Sequence, residues 1–383
     1  MAIVLFDNQY RKKLYPFTAT RAVADLRLGI CTIKERWEKL TNQKVFVQTE
    51  NYLQGLYEKI SENDLLWVDA TVLPDENVLS ALFNLEVDGA LVNDDGLIAI
   101  RKTSKCDNLF QSFKKATSLD VKRLEFAWQL FQWNDEWLRK DFFTITQNRV
   151  SQKISSTNFI QSPQNIFIEE GAVVEYAFIN ANDGPVYIGK NAVVSEGAMI
   201  RGSFALLENA LVKMGAKIVG ATTIGPSCTV CGEIKNSILF GYSNKGHDGY
   251  LGDSVIGEWC NLGAGTSNSN VKNSAGTIQL WNAFDKNFYE VGNKAGVLVG
   301  DYSRFSINSS INTGSFVGVA CSIFGNALLP KVINDFTWGT MDEYEFDKAI
   351  RDIDNWKKMK HQQLNDVEID ILRYIFAAKF PHF

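Results

Sequence analysis

A six-residue period constrains this chain more than any other feature. From Ile188 the aliphatics Val194, Ile200, Leu206, Val212, Ile218, Ile224 and Val230 follow in one phase, eight in succession. A helix repeats its apolar face every 3.6 residues and a strand every two, so a period of six fits neither. It fits a triangular solenoid: each repeat supplies one short strand and one corner, and three repeats close a coil around the inward aliphatics. Small residues beside them, as in Ile188-Gly189, Gly197-Ala198 and Ile224-Gly225, let the backbone turn the corners. The period returns at Ile256, Leu262, Val299, Phe305, Ile311, Val317 and Ile323, and Ile168 and Val174 belong to it upstream.

The flanks have a different texture. Residues 1–155 read as an α/β domain. Strands are expected at the N-terminal MAIVLFD, at Lys44–Gln48 and at Asp64–Asp69, with a hairpin around Asp94-Asp95-Gly96. Helices are expected over Thr32–Leu40 and Leu119–Trp137, and Thr146–Ser162 reads as the junction. The solenoid then occupies 156–338. Over 339–383 the period is lost, and two helices are expected, one with Ile350, Ile353, Trp356 and Met359 on a face, the other with Leu372, Ile375 and Phe376.

Composition narrows the function. A net charge of −5 draws the chain toward neither nucleic acid nor an anionic membrane. No apolar run approaches a spanning helix, and the basic residues follow the first apolar stretch, the reverse of a secretory signal. A cytoplasmic protein is expected. The six cysteines show no framework spacing, and Cys228-Thr-Val-Cys231 has no second pair to complete a zinc site. The three histidines are His247, His361 and His382, so chemistry near neutral pH has few carriers. Only His247 lies among the repeats, in a loop-like interruption from Gly241 to Gly249.

The period resembles that of the left-handed parallel β-helix acyltransferases, which implies a homotrimer with active sites between prisms and acetyl-CoA as donor. A narrower resemblance rests on Glu233-Ile-Lys235, Gly246-His247, Tyr250-Leu-Gly-Asp253 and Asn261-Leu-Gly-Ala-Gly-Thr266. Their order and spacing are similar to the acetyltransferase half of the bifunctional GlmU-type enzymes that make UDP-N-acetylglucosamine. That likeness implies His247 as catalytic base with Tyr250 and Asn261 beside it, and Lys235, Lys213 and Asn270 binding substrate. Lys213 stands four residues from the family's arginine, and the insertion Thr277–Asn293 departs from the pattern. The chemistry agrees, since an ammonium cannot attack a thioester until a base near neutrality takes its proton.

The N-terminal domain lacks the family's glycine-rich loop. In its place stand Leu5-Phe-Asp7-Asn-Gln-Tyr-Arg11 and Leu14-Tyr-Pro-Phe-Thr-Ala-Thr-Arg21, similar to a divergent bacterial sugar-nucleotidyltransferase branch fused to hexapeptide repeats. Nucleotidyl transfer from a triphosphate needs cations and a carboxylate for Mg²⁺. Arg11, Lys12, Lys13 and Arg21 are the candidate cations; Asp69 and Asp7, at strand ends where open α/β sheets present ligands, are the candidate Mg²⁺ ligands. The fold expected is thus a Rossmann-like α/β nucleotidyltransferase domain, a left-handed β-helix and C-terminal helices. Three functions stay open: acetyl transfer to an amino-sugar 1-phosphate with or without nucleotidyl transfer, nucleotidyl transfer alone on a trimerising β-helix, or a non-catalytic sugar-nucleotide-binding trimer.

Overall fold

The computed structural model describes residues 1–103 and 115–378; Cys106 and His382 lie outside them. The chain opens on β1 (Ala2–Phe6), α1 (Ile33–Thr41), β2 (Val45–Gln48) and β3 (Leu65–Asp69). There follow α2 (Glu76–Phe83), β4 (Gly89–Asn93), β5 (Gly96–Lys102), β6 (Lys115–Ser118) and α3 (Gln129–Thr146). The strands form one sheet in the order β2-β1-β3-β5-β4-β6. β1 runs parallel to β2 and β3, whereas β5 is antiparallel to both β3 and β4. Thr32 starts α1 by accepting from the Glu35 amide while the Glu35 carboxylate takes the Thr32 amide, a reciprocal cap read directly from Thr-x-x-Glu.

One expectation is corrected here. The helix expected over Leu119–Trp137 begins at Gln129 and runs to Thr146. Residues 122–124 cannot join it, because their backbone is committed to an extended pairing: the Leu73 amide donates to Lys122 O and the Leu124 amide to Thr71 O, both bonds 2.8–2.9 Å.

From Phe159 onward the chain winds into a three-sided parallel solenoid. Face one runs from Phe159–Gln161 to Tyr250–Gly252, face two from Ile166–Ile168 to Val332–Ile333, and face three from Val173–Val174 to Thr337–Trp338. The periodic aliphatics take the three faces in turn: Ile188 is on face two, Val194 on face three, Ile200 on face one, all buried in a common core. Adjacent coils stack in register, Val194 on Val212 and Val212 on Val230. Outside, face one leaves Phe159, Phe178 and Met199 exposed by 67%, 46% and 50%.

The parts are welded together. Ile3, Leu5, Phe17 and Leu130 share a core with Phe240, Val255 and Leu298 of the solenoid. The insertion is a hairpin, Ile278–Asn282 with Asn287–Gly292, that reaches back to the N-terminal segment, where Asn282 Nδ2 donates to Lys13 O at 3.1 Å. Two helices close the chain, α4 (Phe346–Lys358) and α5 (Asp366–Ala377). They pack on Trp259, Tyr302 and Phe336 of the solenoid and on Ala19 and Leu53 of the first unit. Ile353 and Leu372 are buried as expected, but Met359, expected on the inner face of α4, is 72% exposed just past its end. No helix among the described residues is long and apolar enough to cross a membrane.

Candidate functional site

The stretch read as a loop from Gly241 to Gly249 is mostly solenoid. Asn244–Lys245 is a strand of face three, Asn244 in register with Thr229 and Lys245 with Val230, and only Gly246–Gly249 forms a corner before Tyr250–Gly252 on face one. Its four carbonyls are all taken. Lys213 Nζ donates to Gly246 O at 2.9 Å and Lys245 Nζ to His247 O at 2.5 Å. The Gly265 amide donates to Asp248 O and the Glu233 amide to Gly249 O, each at 3.1 Å. The backbone is fixed, and the His247 side chain stands exposed on it.

Lys245 was missed by the sequence reading, although a signal was there. It occupies the inward phase of the repeat, where its register partner is Val230, and it is fully buried. An ammonium in that position lies among aliphatics, and burial lowers its pKa. Lys213, expected to meet substrate, is instead occupied by the corner it braces.

Tyr250, Asn270 and Lys235 come together on face one. Asn270 Nδ2 donates to the Tyr250 hydroxyl at 2.9 Å and to Asp253 Oδ2 at 2.5 Å, and Asn236 Nδ2 takes Asp253 Oδ1 at 2.7 Å. Burial, with Asp253 and Glu233 adding to it, pushes the Tyr250 hydroxyl up to about 12, so it keeps its proton at neutral pH. The ring crosses Gly252, where a Cβ would sit 2.2 Å from the Tyr250 hydroxyl oxygen, so any larger residue there would displace the tyrosine ring. Lys235 pairs with Gly252 in register, half-buried. Asn261 is not on this face. It stacks on Asn244 on face three and lines a separate pocket of about 350 Å³.

The N-terminal candidates are brought together differently. Asp7 is buried, takes Arg11 Nε at 3.0 Å and Thr49 Oγ1 at 2.5 Å, and accepts from the Val23 amide at 2.9 Å. Burial pushes its pKa up against the pull of Arg11. Asp69 is buried against Arg123 and also takes Asn8 Nδ2 at 2.7 Å, the Thr71 amide at 2.9 Å and Thr71 Oγ1 at 2.8 Å. Arg11 reaches Tyr52 at 2.9 Å, and Arg21 pairs with Asp301 and, at 3.3 Å, with Glu258, both on the solenoid. Lys13 faces Asp285 of the insertion at 3.6 Å. For Mg²⁺ the fit is poor: all four carboxylate oxygens of Asp7 and Asp69 have internal partners. Among the described residues no group of three or more His, Cys, Asp or Glu is placed to hold a metal ion. Cys228 is buried in the solenoid core and Cys231 is half-buried.

Residues 3–150 match the family model described as sugar nucleotidyl transferase. The bifunctional protein GlmU of Synechococcus elongatus is 23% identical over 224 residues, covering 53% of this chain and 46% of that protein. Over about half of its length the chain is similar to this GlmU protein. A bifunctional sugar-1-phosphate nucleotidylyltransferase/acetyltransferase of Sulfurisphaera tokodaii is 32% identical over 97 residues, covering 25% of this chain and 24% of that protein. The chain thus spans less than half the length of these relatives. Among solved structures, the UDP-N-acetylglucosamine acyltransferase from Campylobacter jejuni aligns over 59% of this chain and 97% of that one, with 14% identity and a TM-score of 0.23.

Proposed function

We propose that this GlmU-like chain is a transferase of sugar-nucleotide synthesis that moves the acetyl group of acetyl-CoA onto the amine of an amino-sugar 1-phosphate. The observation that carries this reading is the His247 corner: a backbone held at every carbonyl, presenting one exposed imidazole where the chain enters the face that carries the Tyr250–Asn270 pair and Lys235. His247 takes a proton from the substrate nitrogen as it attacks the thioester carbonyl. The tetrahedral intermediate collapses to the amide, and the departing CoA thiolate takes up that proton. Tyr250, protonated and with its oxygen already accepting from Asn270, has its own O–H free to donate to substrate oxygen. Lys235 holds the sugar phosphate as a point charge. The exposed apolar stripe of face one suits packing against further copies, which is the trimer this reading implies.

A second reading, nucleotidyl transfer to a sugar 1-phosphate, is supported by the match over residues 3–150. We derive no metal-dependent step for it, since Asp7 and Asp69 are internally engaged. One pair of assays separates the readings. Glucosamine 1-phosphate with acetyl-CoA is expected to release free thiol. N-acetylglucosamine 1-phosphate with each nucleoside triphosphate and Mg²⁺ is expected to release little pyrophosphate. The reverse pattern would replace the first reading by the second, and silence in both would favour a binding protein.

A further inference from the structure

Nine lysines and arginines are buried among the described residues. Seven have a carboxylate partner: Arg11, Arg21, Arg27, Arg36, Lys102, Arg123 and Lys357. Those without an ion pair are Lys245 and Arg304, and both belong to face three around Asn261. Lys245 satisfies itself on backbone carbonyls. Arg304 is satisfied only in part: it is 9% exposed and meets the Tyr344 hydroxyl, but its Nε and Nη2 have no hydrogen-bond partner. These two nitrogens form the side-on edge of the guanidinium, whose parallel N–H groups match two oxygens of a phosphate or carboxylate. A buried cation without an ion pair is costly to keep, and burial lowers the Arg304 pKa against the pull of Tyr344 and Asp352.

Arg304 stacks directly on Asn261 and under Ser322, and it lines the 350 Å³ pocket with both. Trp338, Tyr344 and Trp356 supply aromatic walls. The nearest acidic wall, Asp352, is already taken by the Tyr344 hydroxyl at 2.6 Å. The half-buried indole of Trp356, in the last turn of α4, lies with its centre 5.7 Å from the guanidinium carbon. The two unpartnered nitrogens are themselves buried, so a ligand must displace the groups that cover them.

We propose that this pocket is an anion subsite, in which the unpartnered edge of Arg304 takes two oxygens of a phosphate group while the aromatic walls pack against the group that carries it. This rests on the acyl-transfer reading for its ligand, the phosphorylated nucleotide end of the acyl donor, whose thioester end then points along face three toward Asn261 and the His247 corner. The sugar 1-phosphate is the other source of the same chemistry. Neither the candidate base nor the sugar-facing residues touch this pocket, so it is a separate element of the site.

Calorimetric titration of the full chain tests it, using CoA, glucosamine 1-phosphate and inorganic phosphate as probes against wild type, Arg304→Met and Arg304→Lys. Arg304→Met is expected to raise the Kd for CoA at least about tenfold, the loss of a charged two-point contact. Arg304→Lys, which keeps the charge without the fork, is expected to recover only part of it, and the Kd for glucosamine 1-phosphate is expected to stay unchanged. A shift confined to glucosamine 1-phosphate would keep the subsite and reassign its phosphate to the sugar. If Kd values for all three probes stay within about twofold in the folded Met and Lys variants, the subsite is refuted. Inorganic phosphate reads the pocket even if wild type releases no thiol, so failure of the acyl-transfer reading and failure of the subsite are told apart.

Discussion

The strand ends of the first unit and the His247 corner of the solenoid both gather charged and polar side chains, but they spend them in opposite ways. At the strand ends the side chains bind one another: Asp7 with Arg11, Asp69 with Arg123, Arg21 with Asp301 across the joint between units. At the corner it is the backbone that is saturated, through Lys213, Lys245 and two amides, while the His247 side chain is left to the solvent and Lys235 is half-buried without an ion pair among the described residues. The lesson is that a list of residue types does not distinguish a binding site from a structural rivet. What distinguishes them is whether the charged atoms already have partners.

Breaking the rivets therefore costs stability, and breaking the corner costs activity. The largest stability effect is expected for Asp69→Ala, which leaves the Arg123 guanidinium buried and unpaired. Denaturant unfolding should show a loss of about 3–5 kcal/mol. Lys235→Ala, at the corner, should stay within about 0.5 kcal/mol in the same measurement. A small loss for Asp69→Ala would mean that this end of the sheet is more open than its hydrogen bonds indicate.

A pH-dependent effect of similar kind comes from Asp335, whose carboxylate accepts the Tyr15 hydroxyl at 2.5 Å across the same joint and the Val319 amide at 2.7 Å within the solenoid. Burial pushes its pKa up from 3.8 to about 6. Between those values the unfolded chain has released the proton while the folded chain still holds it, so rising pH favours unfolding. The contribution is fully present below about pH 4 and is gone above about pH 6, a span of about 3 kcal/mol. Asp335→Asn should flatten the stability profile in that window, and an unchanged slope would contradict the assignment.

The smallest stability change, with a separate effect on rate, is expected for Lys245→Met. Replacing an unpaired buried ammonium by an apolar chain of similar length should leave stability equal or slightly raised. It also removes the donor under the His247 carbonyl. Steady-state kinetics should show kcat reduced by roughly tenfold to a hundredfold with KM little changed, as expected for a misplaced catalytic group. Unaltered kcat would show that the corner holds its shape without the lysine.

Much of the fold was legible because it is local and periodic. The inward aliphatics from Ile188 to Val230 name the three faces in turn, and the Thr32–Glu35 cap announces α1. The helix near Leu119 was misplaced because the pairing of residues 122–124 with 71–73 is tertiary, and no local propensity reports it. Lys245 was hidden by a shortened coil: its register partner Val230 lies 15 residues back, whereas Val212 and Val230 are 18 apart, so the six-residue count steps over it. At the candidate site, Lys235, Tyr250 and Asn270, singled out by the family resemblance, lie together on face one. Partners such as Arg123 for Asp69 and Asp301 for Arg21 were not, since nothing in the sequence connects residues that far apart.

The most direct test of the account is thiol release by His247→Ala with glucosamine 1-phosphate and acetyl-CoA, paired with the unfolding curve of the same variant. Loss of the base should lower kcat by about 10²–10⁴ and leave the unfolding free energy within about 0.5 kcal/mol of wild type. Thiol release equal to wild type in a folded His247→Ala protein would contradict it.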